Sequence, residues 1–273
     1  MKPLSKKFSA FLRSYYKGPD HPLKVRLWNW FRRMSAYPRL TVPYGSGGWI
    51  TVDERCLVQR EIFDNSLYEP EVWQALSACA TGDEVVWDVG AHIGSFSIQA
   101  LLDKRVREVH AFEPDPAQAE ILRMNLALNG GRSTVHPCAL SYQKIKMPLH
   151  RGPKDNTGLS SLVFQVSGNR CDVECLMVDD LVFQRAVPSP TLVKIDVEGW
   201  ELEVLWGAER LLSEAPPKAI IFETEWDESE EMPEDSPGAY LKEFGYQMQR
   251  IQRPNGLVEP RENFLARLIK GTV

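Results

Sequence analysis

The feature that most constrains what this chain can fold into is the stretch EVVWDVGAHIGSFSIQA, residues 84–100. An apolar run passes into a turn with glycines at 90 and 94, and the turn passes into a helical pattern. Such a strand–turn–helix unit builds sheets whose strands run parallel and are joined by helical crossovers. The alternation continues downstream. Strand patterns at 84–89, 108–112, 134–138, 172–177, 191–196 and 218–224 are interleaved with helical ones at 94–103, 116–128 and 199–213, and with one after Asp179. SPGAYLKEFG then reads as a helix capped by Ser236, with Pro237 behind the cap and Gly245 as its stop. The end, YQMQRIQRPNGLVEPRENFLARLI, reads as two strands around Asn255-Gly256, a strong hairpin signal. The pattern predicts an α/β fold: a mostly parallel sheet, helices on both faces and an antiparallel C-terminal hairpin at one edge.

Upstream, HPLKVRLWNWFRRM places Leu23, Leu27, Trp30, Phe31 and Met34 at helical spacing beside Arg32 and Arg33. RLTVPYGSGGWITVD reads as a hairpin, and helical patterns follow near 54–63 and 70–80. We place a basic helical extension and the start of the hairpin at residues 1–47, and the α/β domain at 48–273. Residues 1–39 hold ten Lys/Arg and one acid, Asp20, a net of +9. The remainder holds 22 basic and 36 acidic residues, a net of −14. A basic arm on an acidic body can cap a site, lie on anionic membrane or pack on the body itself. It carries no recognisable RNA module, so a nucleic-acid partner is not expected. Hydrophobic residues make up 43% of the chain, enough for a large core. No run reaches 18 apolar residues, and the N-terminus has no signal-peptide pattern. Five cysteines without framework spacing fit a reducing compartment, so a cytoplasmic protein is expected, with membrane contact only at its periphery. Cys171 and Cys175 share a strand face with Val173 and Met177, which predicts buried thiols rather than a metal pair.

Ligands of parallel sheets sit at the carboxyl ends of the strands, which points to the turn Asp88-Val89-Gly90-Ala91-His92-Ile93-Gly94. Its spacing is G-x-x-x-G, not the G-x-G-x-x-G of dinucleotide binding, and Ala91-His92 fills the space a pyrophosphate needs. S-adenosylmethionine carries an ammonium, a carboxylate and a ribose diol, and no phosphate. Asp88 suits the amino group, Gly90 leaves backbone bare, and amides near Gly94 and Ser95 open a helix toward a carboxylate. Glu113, in HAFEPDP at the next strand tip, lies 19 residues after Gly94. A carboxylate there can accept both ribose hydroxyls, aimed by the stiff turn of Pro114 and Pro116. Cys138, Ala139 and Leu140 at the third tip suit a flat adenine.

YEPEVWQAL, DVGAHIGSFS, AFEPDP, NLALN, CALS and KIDVEGWELEVLWGA, taken together, resemble the FkbM family of S-adenosylmethionine-dependent methyltransferases over roughly residues 48–268. The resemblance implies the class I methyltransferase (Rossmann-like) fold, a seven-stranded sheet with its last strand antiparallel. It also implies O-methylation, often of sugar or polyketide hydroxyls. By position, Asp88, Gly90, Gly94, Glu113 and the corner at Ala139 match its cofactor motifs.

In LVKIDVEGWELEVLWGAERLL, Lys194, Asp196 and Glu198 share strand parity at a strand tip. They can form an ion pair of Lys194 with Asp196 or Glu223, or a proton-transfer cluster. A hydroxyl is a poor nucleophile unless its proton leaves as the new bond forms. Glu198 or Asp196 is the expected base, His92 the third candidate, and Lys194 would orient the base or stabilise alkoxide character. Glu223 and Glu225 with Asp196 could hold a divalent ion, but strand-tip carboxylates more often stay solvated, so no metal is expected. DNTGLSSL, residues 155–162, is a candidate lid. The expected function is O-methylation of a small molecule, glycan or glycolipid. An RNA- or N-directed methyltransferase and a non-catalytic S-adenosylmethionine-binding scaffold are the alternatives.

Overall fold

The computed structural model describes residues 5–19, 21–33, 39–164, 169–225, 232–253 and 261–269. Helices α1 (Lys6–Lys17) and α2 (Pro22–Arg32) precede a hairpin of β1 (Leu40–Tyr44) and β2 (Gly48–Val52), then α3 (Leu57–Asn65) and α4 (Pro70–Ser77). The alternating part follows: β3 (Glu84–Val89), α5 (Ser95–Leu102), β4 (Val106–Phe112), α6 (Pro116–Ala127) and β5 (Ser133–His136). Next come three short strands, β6 (Ala139–Leu140), β7 (Ile145–His150) and β8 (Arg170–Leu176). The chain ends with β9 (Leu192–Ile195), α7 (Glu201–Trp206), α8 (Glu209–Glu214), β10 (Ala219–Thr224), α9 (Pro237–Glu243), β11 (Tyr246–Arg250) and β12 (Glu262–Leu268).

The seven-stranded sheet has the order β11-β12-β10-β9-β3-β4-β5. Only β12 runs against its neighbours, pairing antiparallel with both β10 and β11, while β9 pairs parallel with β3 and β10. This is the mostly parallel α/β sheet with an antiparallel last strand that the sequence predicts. Asn255-Gly256, the expected hairpin turn, lies outside the described residues. Strand β3 is buried along its whole length, as a central parallel strand must be. Val86 faces one core with Ile50, Ile98 and Leu122, and Val85, Trp87 and Val89 face the other with Val204, Leu205 and Leu212. The chain leaves β3 for β4 on one side and later returns as β9 on the other. The crevice for a ligand therefore opens at the tips of β3 and β9.

Three elements differ from the sequence reading. Residues 145–150 form a strand that periodicity missed because Pro148 interrupts it; β7 is an edge strand, where a missing N–H is tolerated. It joins β6 and β8 in a separate sheet of order β6-β8-β7, so the strand read at 172–177 lies outside the main sheet. The helix expected over 199–213 is broken into α7 and α8. At the break, a Cβ on Gly207 would lie 2.0 Å from the Ser141 carbonyl oxygen.

The hairpin is stitched to the main body by Asn125 of α6 and by Asn129 just beyond the end of that helix. Asn125 Oδ1 accepts from the Thr51 amide at 2.8 Å and its Nδ2 donates to the Ile93 carbonyl at 2.8 Å. One turn on, Asn129 Oδ1 accepts from the Trp49 amide and its Nδ2 donates to the Trp49 carbonyl, both at 2.7 Å. Asparagines at i and i+4 thus meet strand residues two apart. They satisfy buried backbone groups of β2 and fix the far side of the glycine turn.

Candidate active site

The turn after β3 is held in left-handed backbone at Gly90 (φ 83°), His92 (φ 50°) and Gly94 (φ 92°). The sequence reading kept Gly90 bare for a ligand, but a nearer reason appears. A Cβ there would lie 1.8 Å from the Asp196 carbonyl oxygen, so glycine lets the tips of β3 and β9 close together. A Cβ on Gly94 would meet Leu122 Cδ1 at 2.7 Å, where α5 packs on α6. Asp88 is fully buried; its Oδ2 accepts from Ser97 Oγ at 2.5 Å, and its Oδ1 has no hydrogen-bond partner. Burial pushes its carboxyl above the usual range, opposed by the Lys194 ammonium.

Glu113 bridges two strand-tip turns. Its Oε2 accepts from the His92 amide and its Oε1 from the Asp115 amide, both at 2.8 Å. Burial raises it to about 8 against those two bonds. Asp115 caps α6 through the Ala117 amide and takes Arg151 Nη2 at 2.9 Å, which ties the small sheet to this corner.

Two cavities meet at the turn. One, of about 60 Å³, is lined by Phe112, Glu113, Pro114, Cys138, Ala139 and Leu140, and is covered by Thr157, Ser160 and Leu162. Burial pushes the Cys138 thiol up to about 12, which makes it a neutral apolar wall. The other, of about 220 Å³, is lined by Tyr68, Glu69, Asp88, Ala91, Ser95, Phe96, Lys194 and Glu223. Gly90, His92, Gly158, Asp196 and Glu198 line both. Of the residues singled out from sequence at these strand tips, Gly94 and Glu225 line neither. His92 Nε2 lies 2.8 Å from Thr157 Oγ1, and burial holds the imidazole down at about 4, so the ring is neutral near pH 7. The 155–162 loop carries a short 3-10 turn, Thr157–Leu159, and lies against both cavities.

The charges of β9 meet here, but not by strand parity alone. The strand ends at Ile195, and Glu198 turns inward through left-handed backbone (φ 55°). Lys194 Nζ bonds Asp196 Oδ2 at 2.7 Å, the ion pair foreseen as the plainer option. Burial pulls the Lys194 ammonium down, but Asp196, Asp88 and Glu69 outweigh it and keep the proton on. Burial and Asp196 raise Glu198 to about 7 against Arg261, and burial with Asp196 and Glu198 raises Glu223 to about 8.

Arg261 was not singled out from the sequence. Its Nη1 lies 3.7 Å from Glu198 and 3.6 Å from Glu223, and its Nε lies 3.3 Å from Glu225. The guanidinium carbon is 5.3 Å from the Phe164 ring centre. Among the described residues, no group of three or more His, Cys, Asp or Glu is arranged to hold a metal ion. Glu69 was also missed, although it precedes Pro70 in a quoted motif. It is 3.5 Å from Arg253, and burial and Asp196 raise it to about 7. Its left-handed backbone (φ 43°) aims it into the larger cavity, a conformation no spacing rule foretells.

A family model described as the methyltransferase FkbM domain matches residues 88–248, more than half of the chain. The hexuronic acid methyltransferase AglP of Haloferax volcanii is 32% identical over 139 residues, 51% of this chain and 56% of that protein. The 31-O-demethyl-FK506 methyltransferase FkbM of Streptomyces tacrolimicus is 28% identical over 155 residues, 46% of this chain and 60% of that protein. The chain thus spans little more than half the length of these two relatives. The methyltransferase sdnD of Sordaria araneosa is 27% identical over 229 residues, 72% of this chain and 84% of that protein. A solved methyltransferase FkbM from Methylobacillus flagellatus aligns at 22% identity and a TM-score of 0.47, over 68% of this chain and 43% of that one.

Proposed function

The chain belongs to the FkbM methyltransferase family, and from that premise we propose that it O-methylates a hydroxyl of a sugar, glycolipid or other small molecule, with S-adenosylmethionine as donor. The observation that carries the cofactor is the Asp88–Glu113 pair. Two buried carboxylates stand at adjacent strand tips, and one keeps an oxygen without a partner. A buried acceptor left unpaired is costly, so a donor group is needed there, and an ammonium meets that need. Glu113, with Pro114, suits a ribose diol. Cys138, Ala139 and Phe112 form an apolar slot for a flat base, and the residues therefore fit the cofactor. Bound S-adenosylmethionine supplies an electrophilic methyl group.

The residues of this chain supply the rest. The larger cavity would take the acceptor. There Glu198 is the base, because its titration near 7 lets it be ionised in part and still hold a proton well. Asp196 is the weaker candidate, committed to Lys194 at 2.7 Å. Lys194 stays protonated and holds that carboxylate in place. His92, held at about 4, is a poor base, and we assign it to positioning the Thr157 loop over both cavities. Hydroxyl acceptors are favoured because two relatives have names that state methylation of a hexuronic acid and of a 31-O-demethyl compound.

Calorimetry with S-adenosylhomocysteine and NAD, followed by labelled-methyl transfer to a panel of sugars, uronic acids, polyols, amines and RNA, tests the reading. Binding of the first ligand alone, with label recovered in an alkali-stable ether, is the expected result. Tight NAD binding, or label appearing only in RNA or on nitrogen, overturns it.

A further inference from the structure

The N-terminal helices turn an unusual surface outward. On α2, Leu23, Leu27 and Trp30 are 63%, 52% and 65% exposed, and they recur at i, i+4 and i+7 on one face. Arg26 and Arg33, also exposed, follow the edge of that stripe by helical spacing. The opposite face anchors the helix: Trp28 is buried against Tyr16 and Phe63, with ring centres 4.8 and 6.2 Å away. The stripe therefore points away from the body in a folded chain. Side chains of Phe31 and Met34, the rest of the stripe read from sequence, lie outside what is described. On α1, Phe8 and Phe11 are 48% and 63% exposed with rings 6.3 Å apart, beside exposed Lys6 and Lys7. Here too the far face is anchored. Ser9 Oγ accepts from the Thr41 amide at 3.0 Å, and Leu12 and Tyr16 pack on the core.

Between these helices and α3 lies a cavity of about 410 Å³ lined by Tyr16, Lys17, Lys24, Trp28 and Arg60. Three cations and two aromatic rings at one opening suit an anionic headgroup and the apolar chain beside it. The described residues of α1 and α2 include no acid, whereas the chain beyond residue 39 is net −14. No helix among the described residues is long and apolar enough to cross a membrane.

We propose that α1 and α2 form a docking surface for an anionic phospholipid membrane. Leu23, Leu27, Trp30, Phe8 and Phe11 enter the interface, Arg26, Arg33, Lys6 and Lys7 meet the negative surface, and the Lys17–Lys24–Arg60 cavity takes a phosphate headgroup. Charge complementarity selects this occupant. A second copy meeting this face with the same face would bring like charge to like charge, and an acidic face of its body would set charge against the apolar stripe, while an anionic bilayer offers opposite charge over an apolar interior.

The test is sedimentation of the full chain with vesicles of phosphatidylserine and phosphatidylcholine, and of phosphatidylcholine alone. Binding is expected at low salt to the mixed vesicles only, with release as salt screens the attraction. The triple variant Leu23→Glu, Leu27→Glu, Trp30→Glu should lose at least tenfold in vesicle affinity and keep its melting temperature and S-adenosylhomocysteine binding. Arg26→Glu with Arg33→Glu should do the same and carries its own folding control. Glycerophosphoserine in solution separates headgroup from membrane: it should compete only weakly. Three results overturn the proposal: no sedimentation of the intact chain at low salt, sedimentation unchanged in a folded triple variant, or a concentration-dependent dimer that the triple variant abolishes.

Discussion

At the scale of single residues, Glu198 shows why identity and role are separate questions. The sequence names two acids near one strand tip, Asp196 and Glu198. What separates them is Lys194, bonded to Asp196, and the burial that raises Glu198 to about 7. A base must be ionised to work, so kcat/KM should rise with pH and level off above about 7, with no inflection from His92 near 6.5. Glu198→Gln should lower kcat by roughly 10²–10⁴ and flatten that profile, with S-adenosylhomocysteine binding retained. Normal turnover of Glu198→Gln on the true acceptor would move the base to Asp196. For the cofactor side, Glu113→Ala should weaken S-adenosylhomocysteine binding by about 1.5–3 kcal/mol above pH 8, where Glu113 is ionised, the scale of bonds to a charged acceptor. Calorimetry on the folded variant reads this directly, and an unchanged Kd would make Glu113 only a brace between its two amides. Arg261 and Glu69 were illegible for a plain reason. Neither sits in a spacing pattern with the residues it meets, and each arrives from a different segment of the chain.

At the scale of elements, local rules worked where the neighbourhood was also local. Ser236 caps α9 through the Ala239 amide, and Pro237 opens that helix, as its sequence announces. The rules failed at Pro148 and Gly207, where a distant partner decides. Pro148 is tolerated because β7 is an edge, and edges are assigned by the whole sheet. Gly207 has ordinary helical φ (−73°), so its backbone would accept alanine. The obstacle is the Ser141 carbonyl oxygen 2.0 Å from the new Cβ. Gly207→Ala should therefore destabilise the protein by about 1–3 kcal/mol, the range for overpacking a tight contact. Urea denaturation measures it. An alanine variant as stable as the parent would show that the approach of Ser141 is not what separates α7 from α8.

At the scale of the whole molecule, the acidic body concentrates raised carboxylates at one end of the sheet: Glu69 and Glu198 at about 7, Glu113 and Glu223 at about 8. Glu223 starts from an ordinary value of 4.5. Below that pH it is protonated folded or unfolded and costs nothing. Between 4.5 and about 8 the unfolded chain ionises first, so stability falls as pH rises, and above 8 the full cost remains. Glu223→Gln should thus gain little at pH 4.5 and about 1–3 kcal/mol at pH 8.5, less than the whole shift because Glu223 and Glu198 titrate together and share it. Thermal unfolding of both proteins across that range checks the sign; a gain that is equal at both ends would mean that Glu223 is not the titrating group. Much of the molecule was determined by sequence alone. The α/β class, the strand–turn–helix at 84–100, the acids at two strand tips and the antiparallel last strand all follow from periodicity, turn chemistry and motif order within short windows. Tertiary structure alone decided which acids share a cavity, that Arg261 stands among Glu198, Glu223 and Glu225, that Gly90 makes room for a carbonyl of β9's tip, and that the stripe on α2 faces outward. Burial and charge coupling depend on neighbours far apart in the chain, and no local pattern encodes which of them arrive.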